Sequence, residues 1–160
     1  MKRTSLFLIY FVCSILQITI VPHFSLFGTS PDLILVMTIV FSFFYENFNG
    51  VIFGVIFGII RDICVGPAAG VSAAMLLLIG GGLQLVRFAV YRDNKLILFF
   101  ICALCTVVYY LGCWGIVMLL LEYRVAFASM IMKIPVAVFW NYAVLLATCH
   151  FARKTEGFTV

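Results

Sequence analysis

The chain has 160 residues, 66% of them hydrophobic and only 10% charged, against about 45–50% apolar and about 25% charged in an ordinary soluble domain. Spans of about 20 apolar residues each would use most of this length, so no catalytic domain fits outside a bilayer. The net charge of +4 sits in small clusters between apolar runs; it bears on membrane orientation and sets a nucleic-acid role aside.

The expected fold is all-α: a polytopic transmembrane helical bundle of six spans, or five plus a re-entrant segment, forming one integral membrane domain over 1–160. The first apolar stretch, Ser5 to Val21, follows Lys2 and Arg3. No small-residue cleavage site succeeds it, so it reads as a retained helix. A second helix is expected from Pro31 to about Phe48, with Ser30 as N-cap, Pro31 at the first helical position and Asp32 at the positive end of the dipole. Glu46, Asn47 and Asn49 then form a polar turn. The third helix runs from Gly50 to about Cys64 and is closed by Gly66-Pro67; as the short one, it is the candidate for re-entry. A fourth, rich in small residues, covers Ala68 to Val86.

Arg87, Arg92, Asp93, Asn94 and Lys95 make the most polar connection. The apolar run of 26 residues from Leu96 to Leu121 is about 39 Å long as a helix, longer than a roughly 30 Å hydrocarbon core. Residues 122–133, with Glu122, Arg124 and Lys133 among apolar neighbours, suit a segment lying at the interface. Ile134 to Phe151 is the last span. With the N-terminus inside, seven basic residues (Lys2, Arg3, Arg87, Arg92, Lys95, Arg153, Lys154) face the cytoplasm against three (Arg61, Arg124, Lys133). That asymmetry places both termini in the cytoplasm.

The most informative spacing is Gly50, Gly54, Gly58, Asp62, Gly66 and Gly70, one small or acidic residue at every fourth position. Glycines at that interval let a neighbouring backbone approach closely, and helices in lipid associate through packing. The face can serve packing inside one bundle or a groove for another protein's helix. Steps of four residues drift around the helix, which suggests a right-handed crossing. Phe57 is expected to accept Leu. Asp62 stands out because an ionisable side chain within a span is costly. Arg61 points about 100° away and is expected to snorkel outward; the possible charge partners are Arg61, Arg124 and Lys133.

Cys102 and Cys105 form a Cys-x-x-Cys pair inside a long apolar helix, without the second pair or histidines that a metal centre needs. His23 and His150 fall near membrane ends and read as interfacial anchors. Gly80-Gly81-Gly82 lies within a helix and reads as a flexible or close-packing site rather than a phosphate loop. Neither a metal nor a cofactor is expected, and no catalytic constellation is found.

The order Ser30-Pro31-Asp32-Leu33, Gly54-x3-Gly58-x3-Asp62, Gly66-Pro67-x2-Gly70, then Pro135 and Asn141 resembles the rod shape-determining protein MreD family over nearly the whole chain. The family pattern maps onto Pro31, Asp32, Gly54, Gly58, Asp62, Gly70, Pro135 and Asn141. Two features depart from it: the turn Glu46-Asn-Phe-Asn49 lacks a basic residue, and Arg61 replaces an apolar neighbour of the aspartate. The resemblance implies a non-enzymatic component of the bacterial cell-elongation machinery in the plasma (inner) membrane. Its partners would be a single-span MreC-like protein and, through it, an MreB-like filament and the peptidoglycan synthases; a homo-oligomer is left open. The rival reading is the substrate-binding membrane subunit of a vitamin-type transporter, with Asp62, Asn141 and Lys133 lining a pocket.

Overall fold

The computed structural model describes residues 3–24, 28–45, 48–66, 69–88, 95–121 and 127–156. Within these, the chain forms six α-helices: α1 (Arg3–Thr19), α2 (Leu33–Phe44), α3 (Asn49–Val65), α4 (Val71–Val86), α5 (Lys95–Leu121) and α6 (Phe127–Glu156). A short 3-10 turn, Val21–Phe24, follows α1, and no strand occurs among the described residues. Lys95–Leu119 and Met130–His150 are long and apolar enough to cross a membrane.

The shortest helix is the centre. α2 has 12 residues, about 18 Å at 1.5 Å per residue, yet α1, α3, α4, α5 and α6 all pack on it. Ile34, Leu35, Val36, Ile39 and Phe43 are essentially inaccessible. A helix that is apolar on every side belongs in such a place, and the outer helices can then turn their own apolar faces to lipid. Leu8, Ile63, Leu78 and Phe139 are accordingly exposed.

Glycine sets how closely α3 can approach. A Cβ on Gly50 would lie 2.8 Å from Cβ of Phe41, and one on Gly54 would run into the Thr38 side chain, so both abut α2. A Cβ on Gly58 would lie 3.1 Å from Cα of Ala73, on α4. The stripe therefore turns from one neighbour to the next, as steps of four residues require. Gly80 of α4 sits against Ser42, Val51 and Thr38, whereas Gly81 and Gly82 face open space. Phe57 is a core residue, stacked on Tyr10 with ring centroids 5.8 Å apart, so the expectation that it accepts Leu does not fit its surroundings.

Several boundaries differ from the sequence reading. α2 starts after Asp32 and ends at Phe44, because the Asp32 side chain takes the cap that Ser30 was expected to supply. α3 extends one residue beyond each expected end. Gly66 is its C-cap, and α4 begins at Val71, behind Gly70 at φ +94°, a left-handed conformation that glycine adopts readily. Gly66 and Gly70 thus belong to the turn rather than to a continuous helical stripe. α6 begins at Phe127, so residues 127–133 continue into the last helix, with Pro135 inside it. The polar turn at Glu46–Asn47 and residues 122–126, Arg124 among them, lie outside the described residues.

Candidate functional site

The α2 N-terminus opens on a segment that is not helical, from Gly28 to Asp32, and Thr29 and Asp32 in it are buried. The first four N–H groups of a helix have no partner within it, and non-helical backbone at membrane depth is tolerated only where protein satisfies it. Here side chains from two neighbouring helices, together with the cap residue itself, do so. The Asp32 N–H donates to Oδ1 of Asn141 in α6 at 2.8 Å. The Leu33 N–H donates to Oε1 of Gln17 in α1 at 2.7 Å, while Nε2 of Gln17 donates to the Pro31 carbonyl at 3.1 Å. The Leu35 N–H donates to Oδ1 of Asp32 itself at 3.1 Å. Asn141 is fixed in turn by donating to Oγ1 of Thr106 in α5 at 3.2 Å.

The other carboxylate oxygen of Asp32 receives Nη1 of Arg61 at 2.6 Å, and that nitrogen also donates to the Tyr109 hydroxyl at 2.7 Å. Arg61 therefore turns inward, not outward as its helical position suggests. Its side chain is long enough to leave the α3 face, and pairing with Asp32 avoids setting a guanidinium in lipid. Arg61 retains 25% of its side-chain surface and Asp32 only 4%.

Asp62, on the next position, is buried and serves a different helix. Its Oδ2 accepts the N–H groups of Gly70 at 3.1 Å and Ser72 at 2.8 Å. It thereby places negative charge on the positive end of α4. Among the described residues its hydrogen-bond partners are backbone amides; of the expected cations, Arg124 lies outside the described residues, and Lys133 is exposed with its stem near Gly28. A Cβ on Gly66 would lie 2.8 Å from Cα and O of Asp62, so the C-cap position one turn after Asp62 has no room for a side chain.

The structure thus brings Pro31, Asp32, Arg61, Asp62, Gly70 and Asn141 to one level of the bundle. Gly50, Gly54 and Gly58 lie below that level as packing surface, and Pro135 is exposed on α6, away from the cluster. Sequence reasoning missed Gln17, Ser72, Thr106 and Tyr109. The available signal was a lone glutamine in an apolar helix, since an amide in that setting needs a partner as surely as a charge does.

The opposite end of α2 is held more simply. The Tyr45 carbonyl accepts Nε2 of Gln84 at 3.2 Å and Nη1 of Arg87 at 3.0 Å, a cation at the negative end of the helix. Tyr10 of α1 donates to the Gly50 carbonyl at 3.0 Å. Arg87, expected in a polar connection, is buried and lies over the Phe88 ring. Cys102 and Cys105 are buried free thiols, and among the described residues no group of three His, Cys, Asp or Glu is placed to hold a metal.

Fold and cluster together define a helical membrane bundle whose polar core is bonded to its own backbone around a buried central helix. A family model described as rod shape-determining protein MreD matches residues 1–152, and the chain belongs to that family. It is a rod-shape-determining membrane protein. Comparison with curated proteins and with solved structures returned no match.

Proposed function

We propose that this protein is a non-enzymatic scaffold of the bacterial cell-elongation machinery, docking a single-span, MreC-like protein through helix packing within the bilayer. Through that partner it would reach an MreB-like filament and the peptidoglycan synthases. The observation that carries the reading is the use made of the polar residues. Both oxygens of Asp32 accept hydrogen bonds, Asn141 joins the Asp32 amide to Thr106, and Asp62 caps α4. These groups build architecture. A site for a polar vitamin would need several of them convergent and free, and Asp62 and Asn141, which the rival reading assigns to such a pocket, are engaged elsewhere.

The glycine face is filled by α2 and α4, so a partner helix must use another surface. The basic-residue asymmetry supports both termini on the cytoplasmic side of the inner membrane. Depletion tests the role: a scaffold predicts that rod-shaped cells round up while vitamin uptake continues and that a single-span protein co-purifies. Rounding relieved by an external small nutrient would instead favour a transporter.

A further inference from the structure

Five helices surround α2, and the ring they form is open at one place. α1 packs on α3, α3 on α4, α4 on α5 and α5 on α6, whereas α1 and α6 do not meet among the described residues. Every residue of α2 is buried except Leu33, Met37 and Phe44, which are half-buried. Their spacing of four and seven puts these three on one face of the helix. That face is turned away from Thr38 and Ser42, which abut the glycines of α3 and α4.

The flanks of the opening follow from what the outer helices touch. On α1, Phe7 packs against Phe53 and Phe57 of α3, and half-buried Ile9 and Leu16 lie on the opposite side of the helix at about 100° per residue. On α6, Tyr142 packs against Phe99 of α5, and Lys133 and Trp140, seven residues apart, share the other side. The opening is therefore an apolar groove floored by α2. Its one cation stands where α2 begins. Asn141 is level with that end through its bond to the Asp32 N–H, and Lys133 precedes it by eight residues, about 12 Å. The Cε of Lys133 lies 4.0 Å from where a Cβ on Gly28 would stand, which holds the ammonium over the mouth of the groove.

Length, lining and charge agree on one occupant. Leu33 to Phe44 spans about 16 Å along α2, close to half of the roughly 30 Å hydrocarbon core. A transmembrane helix packs where small residues let its backbone approach, but this floor is Leu, Met and Phe, and α2 contains no glycine. A flexible hydrocarbon chain suits such a floor, and methionine adapts its own shape to it. Water there would leave apolar surface wetted on three helices. We infer that the groove holds one acyl chain of an anionic phospholipid whose phosphate rests on Lys133, in the leaflet on the side of the α2 N-terminus. The chain completes the ring around α2 and covers the single stripe that the outer helices leave open. This lipid site goes beyond the scaffold reading and does not depend on it.

The test uses the full-length protein with Trp114→Phe, which leaves Trp140 as the only tryptophan, in phosphatidylcholine vesicles. Phosphatidylglycerol or phosphatidylcholine brominated on its acyl chains is titrated in, and quenching of Trp140 at equal mole fraction gives their relative affinities. Brominated phosphatidylglycerol should bind about fivefold more tightly, the size of one lysine at a membrane surface. Lys133→Gln should bring the two lipids to parity while both still quench. A second reporter, Met37→Trp with both native tryptophans replaced by Phe, should be quenched by either brominated lipid. Equal affinity in the parent protein, a preference that survives Lys133→Gln, or a Met37→Trp reporter that brominated chains do not quench overturns the lipid site; the last result would mean that protein covers the groove. Where a tryptophan variant fails to accumulate, native mass spectrometry of the unsubstituted protein and of Lys133→Gln reads the same difference: one phosphatidylglycerol retained by the first and none by the second supports the site, and equal retention overturns it.

Discussion

The two ends of α2 solve one problem with different means. At its C-terminal end one carbonyl, that of Tyr45, takes hydrogen bonds from Gln84 of α4 and from Arg87, the C-cap of the same helix. At its N-terminal end the backbone between Pro31 and Leu35 is served by Gln17, Asp32 and Asn141, and Arg61 closes the set from α3. One neighbouring element suffices below, whereas three helices, α1, α3 and α6, are recruited above. The reason is chain geometry. Below, only three residues separate Tyr45 from Asn49, the first of α3; above, an irregular segment with buried Thr29 and Asp32 precedes the helix, and each of its polar groups needs a partner. The polar residues of this protein are therefore concentrated where the backbone is irregular.

The largest effect should come from removing the residue on which the upper end depends. Asp32→Ala deletes a helix cap and leaves Arg61 unpaired, and breaking a buried pair from one side typically costs about 3–5 kcal/mol. The purified variant should unfold in detergent at a distinctly lower temperature, or fail to accumulate. Overpacking comes next: Gly54→Leu or Gly58→Leu drives a side chain into Thr38 or Ala73, at about 1–3 kcal/mol. Normal expression and an unchanged melting temperature for both would mean that α3 does not pack as described.

Smaller differences separate the ends more finely. Asn141→Leu strands the buried Asp32 N–H and should cost about 1–3 kcal/mol, while Gln84→Leu, at the end where Arg87 still caps Tyr45, should cost about 0.5–1.5 kcal/mol. Their order in a denaturation series checks the asymmetry; the reverse order would place the critical end below. Gly82→Ala should move stability in the opposite direction, by roughly 0.5–1 kcal/mol, because an open helical glycine has only its conformational entropy to lose. A measured loss there would show that α4 is covered on its outer side.

Much of the bundle was legible because its signals are local. Apolar runs gave the helices, and the four-residue glycine spacing pointed to close contacts before any neighbour was known. The α2 cap was misplaced by two residues because Ser30 and Asp32 are both good caps, and only the tertiary position of the chain chooses between them. The Arg61–Asp32 pair was not legible at all: the partners stand 29 residues apart, and helical periodicity alone turned Arg61 toward lipid. Gln17 and Thr106 were passed over for a simpler reason. A neutral side chain gives no charge signal in the sequence, yet the irregular backbone above α2 is held mainly by the amides of Gln17 and Asn141.

The central claim is that Asp32 and Arg61 act as one unit holding α2 in place. A double-mutant cycle with Asp32→Asn and Arg61→Gln, read as unfolding free energy in the same detergent, measures that directly. The account predicts a coupling of at least about 1 kcal/mol, with the double variant less damaged than the sum of the single ones. Additivity within about 0.5 kcal/mol would contradict it, because residues that share no interaction behave that way.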